Sequence, residues 1–258
     1  HYEVTGHAIE NVLKQVMGKM DRFRGIASAT GSGGTIASGD YLKQIFPESK
    51  IVASEALQCP TLLENGFGAH RIEGIGDKHV PWVHNVRSTD AISAVDDDDC
   101  MRILRLFNEK EGLQFLKSQG ISEEDRQHLS LLGISGICNL LSAIKTAKYF
   151  EMDENDIIFT PFTDSAEMYQ SRVLEQRDER GRYSEMNAAE DFAASLHHQS
   201  IDYFKELNYY DRKTIHHLKY FTWVEQQGKT PEELNAQWDP EYWRSLFEDE
   251  IDYFDQLK

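Results

Sequence analysis

Residues 30–35, Thr-Gly-Ser-Gly-Gly-Thr, hold three glycines in four positions, between an apolar run and an amphipathic stretch. Glycine costs backbone entropy on folding, so such a cluster needs a return. At a strand-to-helix junction the return is a row of backbone N–H groups at the positive end of the helix dipole, a site for an anion such as phosphate. Ser32 and Thr35 add hydroxyl donors. The loop lacks the Lys-Ser/Thr ending of a P-loop and the spacing of a dinucleotide fingerprint. By itself it reads either as an anion site or as a tight turn that starts a helix.

Other candidates read more simply. Four acids at Asp96–Asp99 open a helical pattern, where capping and the dipole account for them. The pairs His197-His198 and His216-His217 are adjacent, not at the i, i+4 spacing of a helical zinc pair. Cys138 lies on an apolar helix face and reads as core. With Cys59 and Cys100 it makes three scattered cysteines, which fits a reducing cytoplasm.

Strands alternating with helices must position the glycine loop. The pattern predicts a helix over 7–20 and strands over 22–30, 50–57 and 90–99. Further helices are predicted over 34–46, 96–112 and 133–151, with a last strand over 156–163. This alternation predicts an α/β layered domain with a parallel sheet and flanking helices over residues 1–172. Beyond about residue 170 the text is charged and helical, with no strand candidate. Residues 173–258 are therefore expected to form a helical C-terminal extension. Its rings, including Trp223, Trp238, Tyr242, Trp243 and Phe247, need a surface to cover, on this body or on a partner subunit. Tyr242, Leu246, Ile251 and Phe254 fall near helical spacing.

The 258 residues carry 44 acidic and 27 basic side chains, a formal charge of −17, with 40% hydrophobic content. A chain this acidic repels phosphate backbones, so no nucleic-acid partner is expected. No apolar run approaches the length of a membrane span and no signal peptide opens the sequence. The start at His1, without methionine, reads as part of a longer chain.

Five segments occur in one order: HYEVTGHAIENVL, GIASATGSGGTIASGDYLKQIF, HRIEGIG, GISG and DIIFTPFTDSAEMY. This succession resembles the C-terminal half of the cysteine synthase family, fold-type II enzymes that use pyridoxal 5'-phosphate (PLP). The opening is similar to the family's HYETTGPEI, the loop to its GTGGT and the last segment to its run into DSGERY. An insertion falls near 114–130. The resemblance implies that Gly31, Ser32, Gly33, Gly34 and Thr35 hold the cofactor's phosphate, and that Gly74 and Gly76 lie beside the cofactor. The family's GISSG serine accepts from the pyridine nitrogen; here Gly133-Ile134-Ser135-Gly136 is one serine short. Ser135 is expected in that role, the alternative being that the nitrogen is held otherwise. A neutral hydroxyl there suits β-elimination and replacement.

The resemblance further implies an amino-acid substrate, a serine or cysteine derivative, with a thiol or sulfide co-substrate, in a cytoplasmic homodimer. The lysine that anchors the cofactor lies upstream in the family, and Lys78 is not in a matching position, so no catalytic residue is assigned. After Gly76 the family continues Ala-Gly-Phe, whereas this chain has Asp77-Lys78-His79, either an exposed loop or a means of steering a different second substrate. The alternatives are a serine/threonine dehydratase-like lyase and a non-catalytic phosphate-binding module.

Overall fold

The computed structural model describes residues 1–250, Tyr253 and Gln256. Ile251 and Phe254, part of the predicted aromatic and apolar face, lie outside the described residues. The first helix, α1 (Glu3–Val16), buries Ile9 and Leu13. It starts and ends four residues earlier than the sequence pattern predicts. Its last turn closes at Met17, and Gly18 then donates to the Asp21 carboxylate at 2.7 Å, a turn that feeds the first strand.

Strands β1 (Arg22–Ala29) and β2 (Lys50–Ala56) flank α2 (Ala37–Ile45), and the short α3 (Thr61–Glu64) follows. After a long loop come β3 (Ala91–Val95), α4 (Asp97–Asn108), α5 (Lys110–Ser118) and α6 (Glu123–His128). The last two fall largely in the stretch expected as an insertion. Helix α7 (Ile134–Tyr149) and strand β4 (Asp156–Phe159) complete the α/β body. With β5 (Phe204–Glu206) at one edge, the strand order is β4-β1-β2-β3-β5, and the first four strands run parallel. The layered α/β body is thus as the sequence predicts.

Alternation along the strands sorts the two faces. Ile26, Ile51 and Ile92 join Ile9, Leu13 and Leu42 in one core, beneath α1 and α2. Ala27, Val52 and Ala91 point the other way, toward Ala143 of α7. Small residues there let α7 lie close across β1, β2 and β3, and Ser142 reaches Ser54 at 2.6 Å between hydroxyls. Each buried isoleucine contributes on the order of 1.5–3 kcal/mol. Asp96 caps α4 by accepting from Asp98 N at 2.9 Å, and Arg71 pairs with Asp97 and Asp98. Asp96, Asp97 and Asp98 at this helix start are thus engaged in capping and ion pairs. Cys59, Cys100 and Cys138 are free and buried.

Residues after 170 form α8 (Gln170–Arg180), α9 (Glu185–Asp191), β5 (Phe204–Glu206), α10 (Tyr209–Lys219), α11 (Pro231–Ala236) and α12 (Pro240–Arg244). The expectation of no strand in this region is corrected: β5 pairs antiparallel with β3 at the sheet edge. Three residues with one apolar side chain give no period to read. The strand forms because β3 offers it an edge and because Lys145 of α7 donates to Ala94 O and Asp202 O, at 3.0 and 2.6 Å. Leu207 and Ile215 then enter the core under α1 and α2.

Candidate functional site

The sheet ends at Thr30. Its N–H and hydroxyl both reach Ser54 O, at 2.9 and 3.3 Å. Asn139 of α7 pins the strand end from the other side, accepting from Ala29 N and donating to Pro161 O, both at 2.7 Å. Beyond this anchored point, the N–H groups of Gly31 through Ile36 meet no acceptor among the described residues. Donation resumes at Ala37, to Gly34 O at 3.0 Å. Six consecutive free amides at the N-terminal end of α2, where the helix dipole is positive, make an electropositive cradle. Gly33 is buried with φ +80°, and a Cβ there would stand 3.3 Å from the Cβ atoms of Pro81 and His84. Only glycine takes that backbone at little cost beneath that wall. Asp40, farther along α2, accepts from Ser88 and Asn85, and burial pushes its carboxyl up to about 7, which reduces the negative charge near the cradle.

A second glycine segment forms the adjoining wall. Gly76 N donates to Thr30 O at 2.7 Å, so Gly74-Ile75-Gly76 is fastened to the end of β1. A Cβ on Gly31 would stand 3.6 Å from Gly76 N, while one on Gly74 would meet nothing within 4 Å. Gly74 therefore borders open space. Ser135, in the first turn of α7, is 6% exposed, and its hydroxyl lies 3.3 Å from that of Thr163. Ser135 and Asn139 are four residues apart, on the face of α7 that meets the ends of β1 and β4. The structure thus brings Gly31 against Gly74–Gly76 and ties α7 to the strand end. It gives Ser135 no direct contact with residues 31–35. Thr163 is a residue that the sequence reasoning missed: the strand predicted over 156–163 ends on it, but the strand stops at Phe159 and Thr163 lies in the loop beyond.

The segment after Gly76 is gripped by the tail. Lys219, at the end of α10, is fully buried and donates to Trp82 O, His84 O and Gln237 Oε1, at 2.9, 2.7 and 2.7 Å. Burial pushes its ammonium down to about 7. Trp223 Nε1 donates to Val80 O at 2.8 Å, and Gln237 Nε2 to Trp82 O at 3.0 Å. Trp243 is buried and donates to Gln237 O, and Phe247 stacks on Tyr2 of the body. The tail rings therefore cover the body of the same chain. Lys219 was missed as well; the signal present was its place one turn beyond Ile215 on an apolar helical stripe.

Comparison with known proteins places this geometry. No family model matches. The chain is 29% identical to a cysteine synthase of Staphylococcus aureus over 170 residues, 65% of this chain and 48% of that protein. It is 29% identical to cysteine synthase B of Campylobacter jejuni over 164 residues, 63% and 47% of the two chains. A solved structure, a hydrogen sulfide-producing enzyme from Fusobacterium nucleatum, matches with TM-score 0.53 and 26% identity, over 74% of this chain and 50% of that one. Over about two thirds of its length this chain is similar to the cysteine synthase family. Its fold is that of the family's fold-type II architecture, and the family's cofactor is PLP. O-acetyl serine sulfhydrylase isoform 3 from Entamoeba histolytica, 23% identical with TM-score 0.54, shares the fold. The chain spans about half the length of the cysteine synthases it matches. Among the described residues no helix is by itself long and apolar enough to cross a membrane, and no group of three or more His, Cys, Asp or Glu side chains could hold a metal.

Proposed function

We propose that this chain supplies the phosphate cradle and part of the ring pocket of a PLP-dependent enzyme that carries out β-replacement or β-elimination on a serine or cysteine derivative, with sulfide or another thiol as co-substrate. The observation that carries the reading is the run of six unpartnered amides from Gly31 to Ile36, beside a glycine segment fastened to Thr30. A dianionic phosphate fits that donor set, and the buried Gly33 leaves room for close approach. Bound there, PLP supplies the electron sink that labilises bonds at the α- and β-carbons of an amino acid.

The chain's own residues bind and orient. Gly31, Ser32, Gly33, Gly34 and Thr35 hold phosphate oxygens through backbone N–H and hydroxyl groups. Gly74 keeps the adjoining face clear of a side chain, and Gly76 makes room for His70, whose Nε2 would stand 2.7 Å from a Cβ there. Ser135 presents a neutral hydroxyl to the pyridine nitrogen, with Thr163 to orient it. A hydroxyl partner leaves that nitrogen less protonated than a carboxylate does, which favours elimination and replacement over chemistry that needs a stronger sink. The lysine that anchors the cofactor is expected outside residues 1–258, and none of the lysines here takes that role. The reading extends to a homodimer in a reducing compartment.

Gly33→Asp in the full-length natural protein tests the cradle. It places a carboxylate where a dianion is expected and a side chain at a positive φ. The expected outcome is a folded protein, by circular dichroism, that no longer retains PLP through gel filtration. Wild-type PLP content in the folded variant overturns the reading and leaves the loop a helix-start turn.

A further inference from the structure

We propose that Asp77 and His79 form a proton-accepting dyad for the second substrate, with His79 the catalytic residue and Asp77 the residue that positions it. The proposal deepens the reading above and rests on residues 31–35 being the cofactor's phosphate site. The segment 77–80 is bracketed by two points that touch the glycine loop. Gly76 N bonds Thr30 O at 2.7 Å on one side, and Pro81 stands against Gly33 on the other. His79 is two residues from Pro81, so its Cα lies no farther than about 7 Å from that of Pro81.

The pair is built for one tautomer. His79 Nδ1 lies 2.9 Å from Asp77 Oδ1. A carboxylate accepts only, so the tautomer this contact favours has its hydrogen on Nδ1 and leaves Nε2 its lone pair. Among the described residues Nε2 has no hydrogen-bond partner. The main chain is fixed beneath the pair, because Thr61 Oγ1 donates to Asp77 O at 2.6 Å. The imidazole meets Trp223 edge-on, ring centres 5.5 Å apart, and Trp223 is itself tied to Val80 O. The tail thus holds the ring as well as the loop. His79 retains 26% side-chain exposure, so its ring is not closed off from solvent.

These features define a base. The incoming nucleophile, a thiol, hydrogen sulfide or water, gives its S–H or O–H proton to Nε2. The electron pair released forms the new bond to the substrate's β-carbon, which has already lost its leaving group. The β-carbon's double-bond pair passes to the α-carbon, which takes up a proton, and the Asp77 carboxylate balances the imidazolium. The proton then leaves to solvent through the exposed ring edge, so the ring returns to its starting state. In this reading the dyad is what the chain has in place of the family's Ala-Gly-Phe.

The test uses the full-length natural protein with 15N-labelled histidine. Long-range 15N–1H correlation is expected to show His79 with the hydrogen on Nδ1, and Asp77→Ala is expected to release it to the ordinary preference for Nε2. His79→Gln is expected to retain PLP and first-substrate binding, and to lower turnover with the nucleophile by roughly 100-fold or more. Free imidazole is expected to restore part of the turnover of His79→Ala. A wild-type His79 with its hydrogen on Nε2, or a PLP-loaded His79→Gln that turns over normally, overturns the dyad. A wild-type protein that holds no PLP overturns the cofactor reading beneath it.

Discussion

Two loops meet at the end of β1, and they spend their backbone in opposite ways. Residues 31–36 leave six N–H donors without acceptors. Residues 80–84 have their carbonyls taken up: Val80 O by Trp223, Trp82 O by Lys219 and Gln237, His84 O by Lys219. The first loop keeps donors free and the second neutralises its acceptors, so the backbone around the site is biased toward positive potential in a chain with a formal charge of −17. The cradle belongs to the α/β body, but the donors that quiet the facing loop come from the tail. The tail is therefore part of how the site is built, although it contributes nothing to the glycine loop itself.

The largest expected effect comes from breaking the donor side. In Gly33→Asp, a carboxylate about 4 Å from phosphate costs roughly 4 kcal/mol per unit charge at an intermediate dielectric, about a thousandfold in Kd. PLP titration followed by absorbance reads it, and global stability is expected to fall far less than cofactor affinity does.

Breaking the acceptor side is expected to act on stability first. Lys219→Met keeps volume but leaves Trp82 O and Gln237 Oε1 one donor short each and His84 O without its lysine bond. Gln237 Oε1 loses its one donor at a cost of ~1–3 kcal/mol, while Trp82 O keeps Gln237 Nε2 and His84 O keeps Val86 N, with a smaller loss each. Part is offset because the variant no longer buries a charge. A net loss of roughly 3 kcal/mol is expected by denaturant titration, with weaker PLP retention as Pro81 and His84 loosen over Gly33. Unchanged stability would mean that the tail is not what holds residues 80–84.

The contrast also explains what was legible in the sequence. The glycine loop stood out in the sequence, as an anion site or a helix-start turn, and β1, β2, α2 and α7 could be read because their apolar periods are long and clean. Small strand residues such as Ala27 and Ala91 matched a close helix layer without announcing it. Residues 80–84 carry no period, and their role depends on Lys219, more than a hundred residues away, which no local pattern joins to them. β5 was hidden for a similar reason: Phe204-Lys205-Glu206 is a strand only because β3 has an open edge. Thr163 and the Asp77–His79 geometry likewise depend on tertiary placement, although the departure of Asp77-Lys78-His79 from the family's pattern marked the place.

A smaller effect sharpens the role of the wall over Gly33. Burial, with the Lys219 charge adding to it, pushes His84 down to about 3, and its Nε2 lies 2.9 Å from Thr89 Oγ1. The native imidazole stays neutral where the unfolded one, near 6.5, takes up a proton. Stability from this group is complete above pH 6.5 and is lost as pH falls toward 3. Asp40 and Glu55, both pushed up to about 7 by burial, slope the other way over the same range, so the absolute profile is a compromise. The difference between wild type and His84→Gln isolates the histidine. Between pH 6.5 and 5 the wild type is expected to lose up to ~1.4 kcal/mol per pH unit more than the variant. Parallel profiles would show that His84 is not the buried neutral wall described here.

The smallest expected effect concerns the one place where the two loops do not act, the Ser135–Thr163 pair. At 3.3 Å between hydroxyls this is a neutral hydrogen bond, with Ser135 buried and Thr163 exposed. Thr163→Val removes the partner and is expected to cost about 1 kcal/mol or less in stability. Ser135→Ala removes the hydroxyl proposed for the pyridine nitrogen, and it is expected to shift the cofactor's absorption band and lower the elimination rate while PLP affinity stays within a few-fold. In the proposed division of labour residues 31–35 set affinity at the phosphate and Ser135 acts on the ring's electronics, so the two readouts should separate. If Ser135→Ala lost the cofactor as completely as Gly33→Asp, the division of labour between the cradle and α7 would be wrong. If it changed neither spectrum nor rate, the nitrogen would have another partner, and the missing serine of the family's GISSG would be a real loss.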